Sequence, residues 1–148
     1  MELPVNTFTV RRTAPELRES FAVPPAEHWQ DAPEDHDFPA AADYLSLVAP
    51  ANEVATVVDA LRSAETVHRK AKDLLRASRL ELLSADNVHV KKDLAKVKEG
   101  KRLSPVLLVR GRGDKGTPLT VADGYHRICA SHQIDEDADV PCRLVAWP

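Results

Sequence analysis

Two short apolar runs joined by a glycine-rich loop constrain the fold of this chain more than any other feature. The run SPVLLVRG (104–111) has the composition of a buried strand, GRGDKG (111–116) that of a loop, and PLTVAD (118–123) that of a second strand. A connection this short joins neighbouring strands that run in opposite directions. The sequence therefore predicts an antiparallel strand pair over residues 104–123.

The chain before this pair has the periodicity of helices. DYLSLV (43–48) predicts a short apolar helix that ends before Pro50, and ANEVATVVDALRSAE (51–65) predicts an amphipathic helix with Asn52 as its N-cap. The apolar face of this second helix consists of Val54, Val57, Val58 and Leu61.

Two further helical segments follow. TVHRKAKDLLRASRLELL (66–83) predicts a helix with an exposed basic face. Residues 84–103 predict a short helix that Asp86 or Asn87 caps and Gly100 ends.

The segment after the strand pair holds one more helix and one more strand. ICASHQ (128–133) predicts a short helix, DEDADV (135–140) an acidic loop and PCRLVAW (141–147) a final strand. The order of elements is helices first, then strand, strand, helix and strand. This order indicates an α+β fold with a small mixed sheet.

Prolines and acids set the first 39 residues apart from the rest. Residues 1–39 contain six of the eleven prolines, and residues 1–50 carry three Arg against nine Asp or Glu. Helical or strand periodicity is weak there, so we expect a proline-rich acidic arm over 1–39 and one domain over 40–148. The aromatic residues of the arm indicate that it docks on the globular part or on a second subunit, and in the latter case the chain would form a homodimer.

Bulk properties argue against a membrane protein. No apolar run approaches the roughly 18 to 20 residues that cross a bilayer, and the N-terminus lacks an export-signal pattern, so we expect a cytoplasmic protein. Cys129 and Cys142 fall in different predicted elements, without a CxxC or His-rich zinc pattern. We therefore expect both to be free thiols.

The densest chemistry lies in DGYHR (123–127), where the second strand turns into a helix. A glycine turn that opens a helix presents free backbone N–H groups and the positive end of the helix dipole, which together bind anions. Gly124 allows a close approach of a ligand, and His126 and Arg127 add donors that suit phosphate. The same residues also fit a plain Asp-Gly turn in which Arg127 pairs with a nearby acid, so the residue pattern leaves both interpretations open.

The order of elements from about Leu74 to Val145 resembles the ParB/sulfiredoxin superfamily. Gly124-Tyr125-His126-Arg127 is similar to the sulfiredoxin Gly-Cys-His-Arg signature and, more loosely, to the Gly-Glu-Arg-Arg signature of ParB partition proteins. In that superfamily the turn holds nucleotide phosphates, from ATP in sulfiredoxin, CTP in ParB and ADP in a free-serine kinase. The resemblance implies a ParB/sulfiredoxin-like fold with ATP, ADP or CTP, together with Mg²⁺, at this turn.

The resemblance also implies a set of phosphate-contacting residues. They are Gly124, Tyr125, His126 and Arg127 in the turn and Lys91, Lys92 and Lys96 in the preceding helix. Asp123, beside the turn, is a candidate metal ligand or general base.

The chain departs from both named relatives. Tyr125 stands where sulfiredoxin carries its cysteine, so the nucleophile of sulfinic-acid reduction is missing. No helix-turn-helix module follows the domain in this sequence, so we expect no sequence-specific partition activity.

These observations predict a protein that binds a nucleotide or another phosphorylated small molecule. It would carry out phosphoryl transfer or phosphate-ester hydrolysis at Asp123–Arg127, with His126 and Arg127 stabilising phosphate charge. The alternative is a nonenzymatic regulatory module that binds nucleic acid or a partner protein through basic helices, because residues 62–102 contain twelve Lys or Arg. Six acids interleave with these bases, which favours a solvated helix face over a nucleic-acid site.

Overall fold

The computed structural model describes residues 28–148, which form five α-helices and a four-stranded sheet. The helices are α1 (Asp37–Leu45), α2 (Ala51–Ser63), α3 (Ala71–Ser78), α4 (Val88–Lys98) and α5 (Tyr125–Ile134). The strands are β1 (Val67–Lys70), β2 (Val106–Val109), β3 (Thr120–Asp123) and β4 (Asp139–Val145). The predicted α+β class is confirmed. None of the helices in residues 28–148 is long and apolar enough to cross a membrane.

The sheet is mixed, with the strand order β1-β4-β2-β3. β2 and β3 pair antiparallel, as the short connection between them predicts, with Val109 opposite Thr120 and Leu107 opposite Asp123. β4 lies parallel to β2 and antiparallel to β1. The two edge strands of the described sheet are therefore β1 and β3.

The helix predicted over residues 66–83 is correct only for Ala71–Ser78 and wrong on either side of it. Val67–Lys70 form the edge strand β1, and α3 begins only at Ala71. Arg79, with φ 59°, ends this helix in the left-handed conformation. Pairing with β4 supplies β1 with backbone hydrogen bonds that a local helical pattern does not anticipate, so tertiary contacts override local propensity.

The predicted helix caps are correct at α4 and wrong at α2. Asn87 caps α4 by accepting hydrogen bonds from two backbone N–H groups of the first turn. Helix α2 begins at Ala51, directly after Pro50, so Asn52 lies inside the first turn and does not cap it. Proline stops the preceding segment and at the same time sets the start of the next helix.

Two apolar cores lie on the two faces of the sheet. Val106 and Leu108 of β2 belong to the core formed with α3, α4 and α5, whereas Leu107 and Val109 belong to the core formed with α1 and α2. Because both faces are covered, the strand is apolar throughout rather than alternating. The predicted face of α2 is confirmed, since its four apolar residues are all buried in the second core.

The segment before α1 is attached to the domain by backbone pairing. Trp29 forms an isolated bridge with Leu103, and Phe38 is buried in the core that α1 shares with α2. The boundary predicted between residues 39 and 40 falls inside α1. The part of the predicted arm before residue 28 lies outside the described residues.

Cys129 and Cys142 are buried free thiols, as predicted. Burial raises the pKa of both, that of Cys142 to about 11. A reactive cysteine needs a lowered pKa, so neither thiol has the character of a nucleophile.

Candidate functional site

The DGYHR turn connects the end of β3 to the start of α5. Asp123 is the last residue of the strand, Gly124 is the N-cap, and Tyr125 begins the helix. Gly124 has φ +110°, and a Cβ at this position would lie 2.4 Å from Val106 Cγ1 and 2.9 Å from Arg127 Nη2. Only glycine satisfies both the backbone conformation and the available space.

Arg127 lies in the first turn of α5 and folds back on the strands. Its Nη2 donates to Asp123 Oδ2 at 2.9 Å and to the carbonyl oxygen of Pro105 at 3.3 Å. The side chains of Arg127 and Asp123 are 17% and 18% exposed, so the ion pair is largely shielded from water. Arg127 Nε is buried and has no hydrogen-bond partner among residues 28–148. The guanidinium carries five N–H donors, so this arrangement leaves part of its donor capacity unused.

A second carboxyl group contacts Asp123. Asp37, in the first turn of α1, is 3% exposed, and its carboxyl group acts on that of Asp123. Burial raises the pKa of Asp123, Arg127 opposes this rise, and Asp37 adds to it. Asp123 therefore exchanges its proton closer to neutral pH than an ordinary aspartate.

One flank of α4 faces the first turn of α5. The ring centroids of His89 and His126 lie 4.6 Å apart, and Asp93 follows His89 by one helical turn. Burial raises the pKa of Asp93, and the positive charges of Arg127 and Lys96 partly offset that rise. Burial lowers the pKa of His126, as does the neighbouring His89, so the neutral ring is favoured.

The three predicted lysines differ in their positions on α4. Lys96 lies on the flank that carries His89 and Asp93, and its charge acts on Asp93. Lys91 and Lys92 are exposed. At about 100° per residue, Lys91 lies on the opposite flank of the helix, and Lys92 points outward. Of the three, only Lys96 is brought close to the turn.

Tyr125 anchors the turn to another segment. Its hydroxyl donates to the carbonyl oxygen of Glu81 at 2.6 Å, and its ring packs against the core formed with α3, α4 and α5. The ring centroid lies 5.5 Å from that of His126. The hydroxyl is therefore engaged in holding the segment after α3.

Asp37, Asp93 and His89 also lie at this site, although the sequence analysis above did not predict them there. The spacing of His89, Asp93 and Lys96 at i, i+4 and i+7 is the signal that places them on one flank of α4. Asp37 precedes Phe-Pro at the start of a helix, which is a helix-initiation pattern. Their approach to the turn depends on the packing of α1 and α4, which local patterns do not contain.

The backbone N–H groups at the N-terminus of α5 are a further feature of the site. Within residues 28–148 no side chain caps it, and its first turn contains no acid. The first N–H groups of a helix have no partner inside the helix, and the helix dipole places positive potential there. Together with Arg127, Lys96 and the two histidine rings, this helix end has the donors and positive charge that an anion site needs, while Asp123, whose pKa is raised, can exchange a proton.

No family model, curated protein or solved structure matches the chain. Among residues 28–148, no three His, Cys, Asp or Glu side chains are grouped closely enough to hold a metal ion.

Proposed function

We propose that the chain is a ParB/sulfiredoxin-like protein that binds a nucleotide or another phosphate-bearing small molecule at the Gly124–Arg127 turn. The observation that carries this proposal is the uncapped N-terminus of α5 beside an arginine with unused donors. Helix N-termini and arginine side chains both bind phosphate well, through backbone N–H groups and paired side-chain donors. The resemblance of the turn to the superfamily signature is what favours nucleotides as the ligand class.

The charges around the turn support an anionic ligand. Lys96 and Arg127 supply positive charge, and His126 would gain a proton in the field of a phosphate. Asp93 and Asp123 oppose an anion when they are ionised, but burial raises the pKa of both. Burial therefore works against the ionised form of both acids, which lessens their opposition to a bound anion.

The finer part of the proposal is phosphoryl transfer or phosphate-ester hydrolysis. Asp123 would accept the proton of the attacking hydroxyl group or water while the bond between phosphorus and its leaving group breaks. Arg127 and His126 would stabilise the charge on the phosphate oxygens. A raised pKa brings Asp123 toward the range in which a general base is most effective.

Asp123 fits proton transfer better than metal ligation. One of its oxygens accepts from Arg127, and its carboxyl group also contacts Asp37. A metal ion at this carboxylate would compete with the guanidinium for the same oxygen. Mg²⁺ is commonly held by substrate phosphates and few carboxylates, so the phosphates of a bound nucleotide would be its main ligands here.

Calorimetric titration with ATP, ADP, CTP and GTP, each with and without Mg²⁺, tests the binding part. Lys96→Gln should weaken binding roughly tenfold, because a hydrogen bond to a charged group contributes about 1.5 kcal/mol. Lys91→Gln is the matched control, since it makes the same charge change on the opposite flank of α4, and it should leave the affinity unchanged. If none of the four nucleotides binds the wild type, or if both substitutions weaken binding equally, the turn is not the nucleotide site.

Release of inorganic phosphate from the nucleotide that binds tests the chemical part. Asp123→Asn should abolish this release, because the amide cannot accept the proton, while the nucleotide still binds. Full activity in Asp123→Asn would exclude Asp123 as the general base and leave the binding proposal intact.

A further inference from the structure

A cavity lies beside the other end of β3, away from the turn. A cleft of about 630 Å³ opens beside the first residues of this strand, away from Asp123. Small-molecule sites commonly have volumes of roughly 300–1,000 Å³. The apolar part of its lining includes Tyr44, Val48, Leu80, Leu119 and Trp147.

Large apolar side chains are exposed at this cleft. Tyr44, Val48 and Leu80 are 45%, 55% and 37% exposed, although each has a hydrophobic surface that water solvates poorly. Exposed apolar side chains that converge on one concave surface are typical of binding sites.

Hydrogen bonds between the loop before β3 and the C-terminal end of α3 cover the edge of the sheet at this cleft. The N–H of Leu119 donates to the carbonyl oxygen of Ala77 at 3.1 Å, and Arg79 Nη2 donates to the carbonyl oxygen of Gly116 at 3.2 Å. An added peptide strand needs a continuous row of free backbone groups along an edge. The edge of β3 is interrupted just before the strand begins, so the cleft suits a small molecule better than an extended peptide.

The polar part of the cleft carries more positive than negative charge. Arg112 Nη2 lies 2.8 Å from Glu53 Oε1, and its guanidinium carbon lies 5.2 Å from the centroid of the Trp147 ring. These two contacts hold the guanidinium beside an aromatic wall while the side chain stays 34% exposed. Lys115 also lines the cleft, so its lining contains two cationic side chains and one acidic side chain.

We infer that this cleft binds a small molecule that combines a flat aromatic body with a carboxylate group. The aromatic body would pack against Tyr44 and Trp147, since apolar and aromatic walls supply most of the contact area in such sites. The carboxylate would accept hydrogen bonds from the remaining donors of Arg112, whose planar fork matches a carboxylate, and would lie near Lys115. This inference is independent of the phosphate site at the other end of the strand.

The indole N–H signals in ¹H–¹⁵N spectra provide the test, because the chain has two tryptophans. Trp147 lines the cleft, whereas Trp29 pairs with Leu103 and serves as an internal control. The probe is naphthalene-2-carboxylate, and its uncharged analogue naphthalene-2-carboxamide is the control. We expect the acid to shift the Trp147 signal with a Kd at least tenfold lower than that of the amide, while the Trp29 signal stays in place.

Three substitutions test whether charge, and not a change in folding, sets the preference for the acid over the amide. Arg112→Gln should remove the preference for the acid, and Arg112→Lys should restore part of it because the charge is kept. Glu53→Gln should tighten the binding of the acid, since it removes the competing carboxylate. Equal Kd values for acid and amide, an unchanged Kd in Arg112→Gln, or no shift of Trp147 at millimolar probe would each overturn the inference.

Discussion

The two ends of β3 carry the same type of contact in different surroundings. At the end of the strand, Arg127 and Asp123 pair at 2.9 Å with side chains 17% and 18% exposed. Near its start, Arg112 and Glu53 pair at 2.8 Å with side chains 34% and 29% exposed. The N–O distances are almost equal, so burial rather than geometry distinguishes the two pairs.

Burial decides what each pair can do. A carboxylate shielded from water has a raised pKa, as Asp123 does, and the loss of its cationic partner leaves a charge in a poorly solvated place. A pair that remains in contact with water can exchange one partner for a ligand at little cost. We therefore assign proton exchange to the Asp123 end and adaptable carboxylate binding to the Arg112 end.

Glycine substitutions are expected to give the largest difference in stability loss between the two ends of β3. Gly124→Ala should destabilise the protein by about 3 kcal/mol, because the new Cβ would overlap Val106 and the backbone is left-handed. Gly116→Ala, in the loop before β3, also has a positive φ but meets nothing within 4 Å, and it should cost only about 1 kcal/mol. Unfolding in urea measures both, and equal losses would show that the contact with Val106 does not matter.

The next largest difference is expected from removing the two arginines. Arg127→Met should destabilise by about 3 kcal/mol, because it leaves Asp123 ionised without its partner and removes the hydrogen bond to Pro105. Arg112→Met should cost about 1 kcal/mol or less, since Glu53 keeps its contact with water. Similar losses at both positions would contradict the role given to burial.

The smallest effects are expected from two acids outside these pairs. Burial raises the pKa of Asp93, so folding favours its protonated form, and this penalty at pH 7 is relieved as the pH falls toward about 4. Asp93→Asn should therefore be more stable than the wild type at pH 7, and the difference should close between pH 7 and about pH 4.

Asp137 is the control with the opposite sign. The hydrogen bond from Lys72 lowers the pKa of Asp137, so its ionised form stabilises the folded state and this contribution is lost below about pH 4. Asp137→Asn should be slightly less stable than the wild type at pH 7, with a difference that closes only below that pH. Urea unfolding from pH 7 to pH 3 measures how the difference in unfolding free energy between each variant and the wild type changes with pH. Changes of the same sign in the two variants would be inconsistent with the assigned environments.

Sequence patterns predicted the parts of this fold that depend on neighbouring residues. The β2–β3 pair follows from two apolar runs and a short loop, and the buried face of α2 follows from the spacing of Val54, Val57, Val58 and Leu61. Strand β1 was missed because its pairing partner lies in β4, about seventy residues further along the chain.

The residues of the site also fall into those that neighbouring positions predict and those that depend on packing. Asp123, Gly124, His126 and Arg127 are consecutive or nearly so, and their proximity follows from the sequence. The contact between Asp37 and Asp123 joins α1 to the end of β3, so it depends on how the helix packs on the sheet. Of the three predicted lysines, Lys96 lies on the flank of α4 that carries Asp93, and its position there depends on how α4 packs against α5.

Whether the end of β3 is the phosphate site is measured most directly by backbone ¹H–¹⁵N spectra during a titration with inorganic pyrophosphate, which carries the group common to the four nucleotides. We predict that the amide signals of Tyr125, His126 and Arg127 shift together, because helix N-terminal N–H groups are the proposed donors. The signals of Arg112 and Lys115, at the other end of the strand, should respond only at higher pyrophosphate concentrations, because the ligand proposed for that cleft also needs an aromatic body. Shifts confined to Arg112 and Lys115, or none at the turn, would contradict the assignment of phosphate binding to Gly124–Arg127.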